Sequence, residues 1–351
     1  MTTHFQCILE QYQCERKEIP LDNLKAISRM NILLTGATGN VGGNALRELL
    51  RRGYRVRCLV RRPKMLKSVT EREAARVELF QGDVLRPADV AKAVEGQDVV
   101  IHLAYMIPPR SEEQPDRSRA INVDGTRHLI QAACSQASPP RFLFSSSFDV
   151  FGYTQDQPPP RKVSDPVWAT DHYTTHKIAC EEMLRTSGLQ WAIFRFADVP
   201  TLRSPHPIMF RIPLATRFEV IHGADAGLAI ANALRCEEVW GKILLIGGGQ
   251  GCQITYEEYL GRILEMMGIG RLPQSAFGTQ PYSTDWLDSE ESQRLLCYQR
   301  STFDDILRDL ARAMGPARLL TPLVRPVARW WILRMSPYCK AARNKTALMK
   351  K

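Results

Sequence analysis

The sequence predicts an α/β chain, a doubly wound parallel sheet followed by a smaller, mostly helical C-terminal lobe. Three observations lead there. Short apolar runs, too brief for helices, recur along the chain; segments with helical spacing separate them; and a glycine-rich turn joins the first run to the first helix. The runs are Asn31–Leu34, Arg55–Val60, Val77–Phe80, Val99–Leu103, Phe142–Phe144 and Trp191–Phe196. Helical spacing marks Val41–Leu50, Ala88–Val94, Ala120–Ala133 and Tyr173–Leu184. Pro87 at a first helical turn and Gly53 after a last one support these boundaries. A further strand, Ile243–Ile246, closes on Gly247-Gly248-Gly249, and Tyr256–Met267 and Ser301–Met314 read as amphipathic helices of the smaller lobe.

A chain of 351 residues with 44% apolar content can bury one large core, or an α/β domain with an attached lobe. Residues 1–29 are polar and aperiodic, an extension before the fold opens at Met30. The nine cysteines form no C-x-x-C pair, which argues against a zinc site and a disulfide framework and fits a reducing compartment. No signal pattern opens the chain and no apolar run reaches the roughly 18 residues of a membrane helix, so a cytoplasmic protein is expected. The net charge of +10 is unevenly placed. Ten Lys and Arg and no acid lie from Ala311 onward, leaving 37 of each sign before it. The body is therefore neutral, and the basic character does not mark a nucleic-acid surface.

Thr35-Gly36-Ala37-Thr38-Gly39-Asn40-Val41-Gly42 lies between the first strand and first helix. Glycines there permit a tight turn and close approach to a pyrophosphate, which the helix N–H groups then face. In that context the motif predicts a dinucleotide site of the Rossmann type, with Gly36, Thr38, Gly39, Asn40, Val41 and Gly42 against the phosphates. The second strand ends in Arg61-Arg62 where an NAD site usually places an acid, so NADP is favoured over NAD. Tyr173-Thr174-Thr175-His176-Lys177 sets a phenol and an ammonium four apart on one helix face. A cation beside the phenol favours the phenolate, lowers its pKa and suits proton exchange with a carbonyl or alcohol oxygen.

Together these motifs resemble the extended short-chain dehydrogenase/reductase family, which includes sugar-nucleotide epimerases and dehydratases, from about Met30 to Leu310. The resemblance implies that Ser147, in Phe144-Ser145-Ser146-Ser147, is the carbonyl-orienting hydroxyl beside catalytic Tyr173 and Lys177. It implies that Asp83 meets the adenine amine with Val84 beside it, and that Leu103, Ala104, Ser145 and Phe196 line the cofactor. Asn122 matches the family's structural asparagine, and Phe196 replaces a proline of its pattern. Val220–Asp225 resembles a helix start, and residues 285–298 its C-terminal lobe. His102, His176 and His222 are expected in packing, surface and helix-start roles, without a metal. The implied domains are a dinucleotide-binding domain over 30–250, to which 197–221 lends part of the substrate lobe, the lobe proper over 251–310, and a basic tail over 311–351.

Two departures narrow the function. Dehydratases of this family carry acids at both positions after the catalytic hydroxyl, whereas here these are Phe148 and Asp149. The segment between Arg195 and His222 is short and apolar, with Pro205, Pro207, Met209, Phe210, Ile212, Pro213 and Leu214, and it suits the wall of a pocket for a small or hydrophobic substrate. The expected activity is NADPH-linked reduction of a carbonyl, or oxidation of an alcohol; an NAD-dependent sugar epimerase and a non-catalytic dinucleotide-binding sensor or scaffold are the alternatives. In the tail, Leu319, Leu320, Leu323, Val324, Val327, Trp330, Trp331, Ile332 and Leu333 interleave with arginines. Pro322 and Pro326 predict that no continuous helix forms there. The tail suits either contact with an anionic membrane surface or packing on its own lobe or on a homodimer partner.

Overall fold

The computed structural model describes residues 30–62, 75–202, 204–316 and 321–339. The expectations for residues 1–29, 317–320 and 340–351 lie outside these described residues.

The apolar runs become strands because their faces are covered, except in the edge strand Val77–Gln81, where Leu79 is 43% exposed. β1 (Asn31–Thr35), β2 (Arg55–Val60), β3 (Val77–Gln81), β4 (Val99–His102), β5 (Arg141–Ser147), β6 (Trp191–Phe196) and β8 (Lys242–Ile246) form one sheet in the order β3-β2-β1-β4-β5-β6-β8. All six pairings are parallel. A parallel sheet of this order reverses its direction of winding between β1 and β4, and its crevice opens there, beyond the carboxyl ends of the strands.

Helices cover both faces. On one, α1 (Asn40–Arg51) packs Ala45, Leu46, Leu49 and Leu50 onto the sheet beside α7 (Gly223–Ala233). These two helices touch closely, since a Cβ on Gly227 would lie 2.6 Å from the Asn44 carbonyl carbon. On the other, α2 (Pro87–Val94) supplies Val90, Ala93 and Val94, and α5 (Gly125–Cys134) supplies Leu129, Ile130 and Ala133. α6 (His172–Arg185) adds Cys180 and Leu184 to the same layer.

The segment Ala120–Ala133, expected as one helix, is divided. Short helices α3 (Arg110–Glu113) and α4 (Pro115–Arg119) lead into a π turn at Ala120–Asp124 before α5 begins. The widened turn frees the Asn122 carbonyl to accept from the Thr126 hydroxyl and from Cys180 Sγ at 3.3 Å.

The smaller lobe is built on the antiparallel pair β7 (Arg217–Glu219) and β9 (Gln253–Thr255) with α8 (Tyr256–Met266), α9 (Glu290–Leu296) and α10 (Phe303–Met314). Phe210, Ile212, Phe218, Tyr256, Phe277 and Phe303 meet in its core. Phe210 and Ile212 are thus packed inside the lobe rather than lining an open pocket; from that apolar segment, Met209 and Leu214 are half-buried.

Two expectations are corrected. α11 (Thr321–Met335) runs continuously through Pro326. Pro322 falls in the first turn, where no N–H is needed, and Pro326 removes one hydrogen bond, a loss that docking on the lobe outweighs. Ile332 of α11 is 2% exposed in the lobe core. Among the described cysteines, Cys58, Cys134, Cys180, Cys252 and Cys339 are free, but Cys297 is disulfide-bonded, an exception to the expectation of thiols.

Candidate active site

The glycine turn is shaped by backbone contacts. Gly36 has φ +76, and a Cβ there would lie 2.6 Å from the Leu103 carbonyl carbon and 2.7 Å from the Ala104 nitrogen. A Cβ on Gly42 would meet the Gly36 carbonyl oxygen at 2.0 Å. Gly39 caps α1 without any side-chain hydrogen bond, and Thr38, Gly39 and Asn40 are exposed. First-turn N–H groups left without a side-chain partner, at the positive end of a helix, form an anion site. The residues present therefore fit a pyrophosphate. Val41 is half-buried behind the turn.

The neighbouring strand ends bring the other predicted residues to the same edge. Arg61 and Arg62, directly after β2, are exposed. Asp83, after β3, is half-buried and accepts from the Leu85 N–H at 3.1 Å; Val84 is buried. After β4, the N–H groups of Leu103 and Ala104 donate to Thr35 Oγ1, both at 3.2 Å. Phe196, ending β6, is 6% exposed and packs against Phe194, so it belongs to the core beneath the crevice.

His102 fastens this edge from below. Its Nδ1 lies 2.7 Å from Thr35 Oγ1 and its Nε2 2.9 Å from Thr126 Oγ1. Thr126 gives its proton to the Asn122 carbonyl, so Nε2–H donates to Thr126 and Nδ1 accepts from Thr35. Burial, with a smaller push from Lys177, lowers its pKa to about 3, which keeps this ring neutral. Asn122 accepts from the Met106 N–H at 2.7 Å and donates to the Met106 carbonyl at 2.9 Å, pinning the chain beyond β4. His176, expected toward solvent or sheet, is buried with its Nδ1 3.5 Å from Asn122 Nδ2. His222 caps α7, accepting from the Ala224 N–H at 3.1 Å.

Ser147, Tyr173 and Lys177 come together at the ends of β5 and α6. Asp171 starts α6 with a capping box, its side chain accepting from the Thr174 N–H at 2.8 Å. That cap turns Tyr173 inward to 8% exposure and Lys177 to 2%. The phenol lies near the Ser147 hydroxyl, which donates to Asp149 Oδ2 at 3.0 Å. Lys177 donates to the Ser145 carbonyl and lies 3.4 Å from the centre of the Tyr105 ring. Tyr105 in turn meets Tyr173 edge-on at 5.8 Å.

The electrostatics differ from the sequence-based expectation. Burial and then the Asp149 charge push the Tyr173 phenol above its usual value. The ammonium faces an aromatic ring and a carbonyl, and burial lowers Lys177 to about 7. Burial raises Asp149 to about 8, against the opposing hydrogen bond from Ser147. At neutral pH this pocket therefore holds a protonated phenol and a largely protonated carboxyl.

Sequence reasoning noticed Asp149 only as the second of two acid positions, beside the departure at Phe148, and missed Tyr105. It also missed Tyr282, whose phenol is raised by burial and by the Asp149 charge. Asp149 had a signal, two positions after the hydroxyl at a strand end; Tyr282 had none, since only the lobe's fold brings it close. Ser145 donates to the His102 carbonyl at 3.2 Å, and Ser146 to Glu181 at 2.5 Å. Glu181 is also held by Arg195 at 3.0 and 2.7 Å in a buried ion pair. A cavity of about 570 Å³ lined by Lys162, Leu244, Asp288 and Arg294, among others, includes none of the candidate residues. No cluster of potential metal ligands occurs among the described residues.

The geometry agrees with known proteins. Residues 36–203 match a family of NAD(P)H-binding domains. A solved structure of dTDP-glucose 4,6-dehydratase from Streptomyces venezuelae, a double mutant with NAD bound, superposes with a TM-score of 0.69 at 24% identity. It covers 84% of this chain and 100% of that one. Residues 36–203 are therefore similar to NAD(P)H-binding domains, and the chain shares the fold of this dehydratase. Among relatives of that domain, a 3-beta-hydroxysteroid dehydrogenase from Mycolicibacterium neoaurum is 35% identical over 130 residues, 36% of this chain and 34% of that protein. A photosystem II assembly factor, Ycf39, from Cyanophora paradoxa is 30% identical over 166 residues, 47% of this chain and 44% of that protein. The matched stretches thus span between about a third and somewhat under half of these curated relatives.

Proposed function

We propose that the protein is an NADP-linked oxidoreductase that reduces a carbonyl, or oxidises the matching alcohol, on a small or hydrophobic substrate. The observation that carries this reading is the grouping of buried Tyr173 and Lys177 with Ser147, which donates to Asp149 at 3.0 Å, at the carboxyl end of β5 on the same edge as the glycine turn. Exposed Arg61 and Arg62 after β2 favour a 2′-phosphate. A relative named for a hydroxysteroid supports a hydrophobic alcohol or ketone as substrate.

In this mechanism the bound dinucleotide supplies or accepts hydride. Ser147 orients the substrate oxygen and Tyr173, kept protonated by its surroundings, donates a proton to it. Asp149, protonated below about pH 8, then returns a proton to the Tyr173 phenolate through the Ser147 hydroxyl, which turns from donating to Asp149 to accepting from it as it gives its own proton to the phenolate. Lys177, which donates to the Ser145 carbonyl and rests on the Tyr105 ring, would hold the nicotinamide ribose when a dinucleotide is bound. The test is NADPH oxidation screened against ketones, aldehydes and sterol-like carbonyls, with NADH in parallel. Turnover with carbonyl substrates and tighter NADPH binding supports the reading. Conversion of a sugar without net change in NADPH absorbance replaces it with epimerisation.

A further inference from the structure

The C-terminal helix α11 buries only one of its sides. Arg329 Nη1 donates to the carbonyls of Ile269, Gly270 and Arg271 at 3.1, 3.0 and 2.6 Å. Ile332 enters the lobe core, and just past the helix Ser336 Oγ donates to the Ala276 carbonyl at 2.6 Å. The other side presents Leu323, Val324, Val327, Trp330 and Trp331, exposed by 79, 55, 66, 51 and 51%. Residues 323, 327, 330, 331 and 334 share one stripe at helical spacing. A contiguous apolar stripe of this kind marks a contact surface, unlike single exposed apolar residues.

The chemistry around the stripe selects its partner. The Arg334 guanidinium lies 4.6 Å from the centre of the Trp330 ring, on the stripe, whereas Arg325 lies against Gly270 of the lobe. The sequence from Ala311 to Lys351 holds no acid, and Lys340, Arg343, Lys345, Lys350 and Lys351 follow the helix. A second copy would set this basic segment against its like, and aliphatic Leu323 and Val327 have no role on a phosphate backbone. Tryptophans with an apolar body and a polar edge, flanked by arginines, match the boundary between headgroups and acyl chains. Fifteen residues reach about 22 Å, short of the roughly 30 Å hydrocarbon layer, so the helix fits the plane of a bilayer surface rather than its span. No helix among the described residues is long and apolar enough to cross a membrane.

We propose that the exposed face of α11 docks the protein on an anionic lipid surface, with Trp330, Trp331, Leu323 and Val327 inserted and Arg334 at the headgroups. The inference is independent of the reaction proposed above. The experiment is co-sedimentation of the full-length protein with phosphatidylcholine vesicles, with and without phosphatidylserine, alongside tryptophan fluorescence. Expected are binding to the anionic vesicles with a blue shift, and a loss of about tenfold or more on omitting phosphatidylserine or raising salt to 1 M. Trp330→Ser/Trp331→Ser should lose binding similarly. Because tryptophans also support folding, Leu323→Glu/Val327→Glu repeats the test at the two most exposed positions, with the unfolding midpoint as the control for intact structure. Equal vesicle binding by the folded Glu variant and the parent overturns the proposal. So does a parent that stays in solution, whether alone or as a dimer that the Glu variant dissociates.

Discussion

The two ends of the crevice are built on opposite principles. At the nucleotide end, Gly36, Gly39 and Gly42 make a surface of backbone, and the nearest titratable ring, His102, is locked neutral between two threonines. At the proposed reacting end, Ser147, Asp149, Tyr173 and Lys177 form a cluster of side chains, three of them with pKa values displaced by burial. A backbone site recognises what every dinucleotide shares and tolerates almost no substitution. A side-chain site can lose one group and remain folded. Binding and chemistry should therefore separate under mutation.

The sharpest break of this contrast is Tyr173→Phe. It should lower turnover by roughly 10² or more, as loss of an acid–base group does, while dinucleotide affinity measured by fluorescence titration stays nearly unchanged. A comparable fall in affinity would merge the two ends. At the nucleotide end, Gly42→Ala forces a methyl group to 2.0 Å from a carbonyl oxygen. Overpacking of that kind costs about 1–3 kcal/mol, so dinucleotide affinity and the unfolding midpoint should both drop; an Ala variant that binds normally would show the turn to be softer than its contacts suggest.

Asp149→Asn sharpens the comparison through pH. A carboxyl with a folded pKa of about 8, above its unfolded value of 3.8, binds a proton that the unfolded chain has released between those values. Stability from this group is therefore full below about pH 4 and declines as pH rises toward 8. The Asn variant should show a flatter rise and fall of unfolding midpoint across that window. Its carbonyl reduction should be about tenfold slower near neutrality and lack the decline above pH 8 that loss of the Asp149 proton produces in the parent. An unchanged pH profile would remove Asp149 from the proton path. The smallest effect is expected from Arg61→Ala, a few-fold loss of preference for NADPH over NADH, because an exposed guanidinium contributes modestly to anion binding.

Much of the sheet was legible in the sequence because parallel strands covered on both faces must be largely apolar, as in Val99–Ile101 and Cys58–Val60. The helix starts were legible where a cap marks them, as at Asp171 and Pro87. The π turn was not, since Ala120–Asp124 keeps an acceptable helical period and only the pull of Asn122 toward Met106 widens it. Continuity through Pro326 was also hidden, because the cost of a proline is local and visible whereas the contacts of Arg329 and Ile332 with residues 269–276 are neither. At the site, the motif residues were legible as neighbours, but not their charges. A tyrosine and lysine four apart suggest an acidified phenol, and it took Tyr105, Ser145 and Asp149 to reverse that expectation.

The widened turn at Ala120–Asp124 carries a consequence for how this fold tolerates change. A turn holding one more residue than an α-helix keeps the Asn122 amide rotated toward the chain beyond β4. Deleting a single residue there would restore regular winding, swing that amide by about 100° and unclip Met106 from it. A more regular helix would then be the defective one, and the loop leading from Leu103 to Tyr105, with the lysine that rests on it, would lose its anchor.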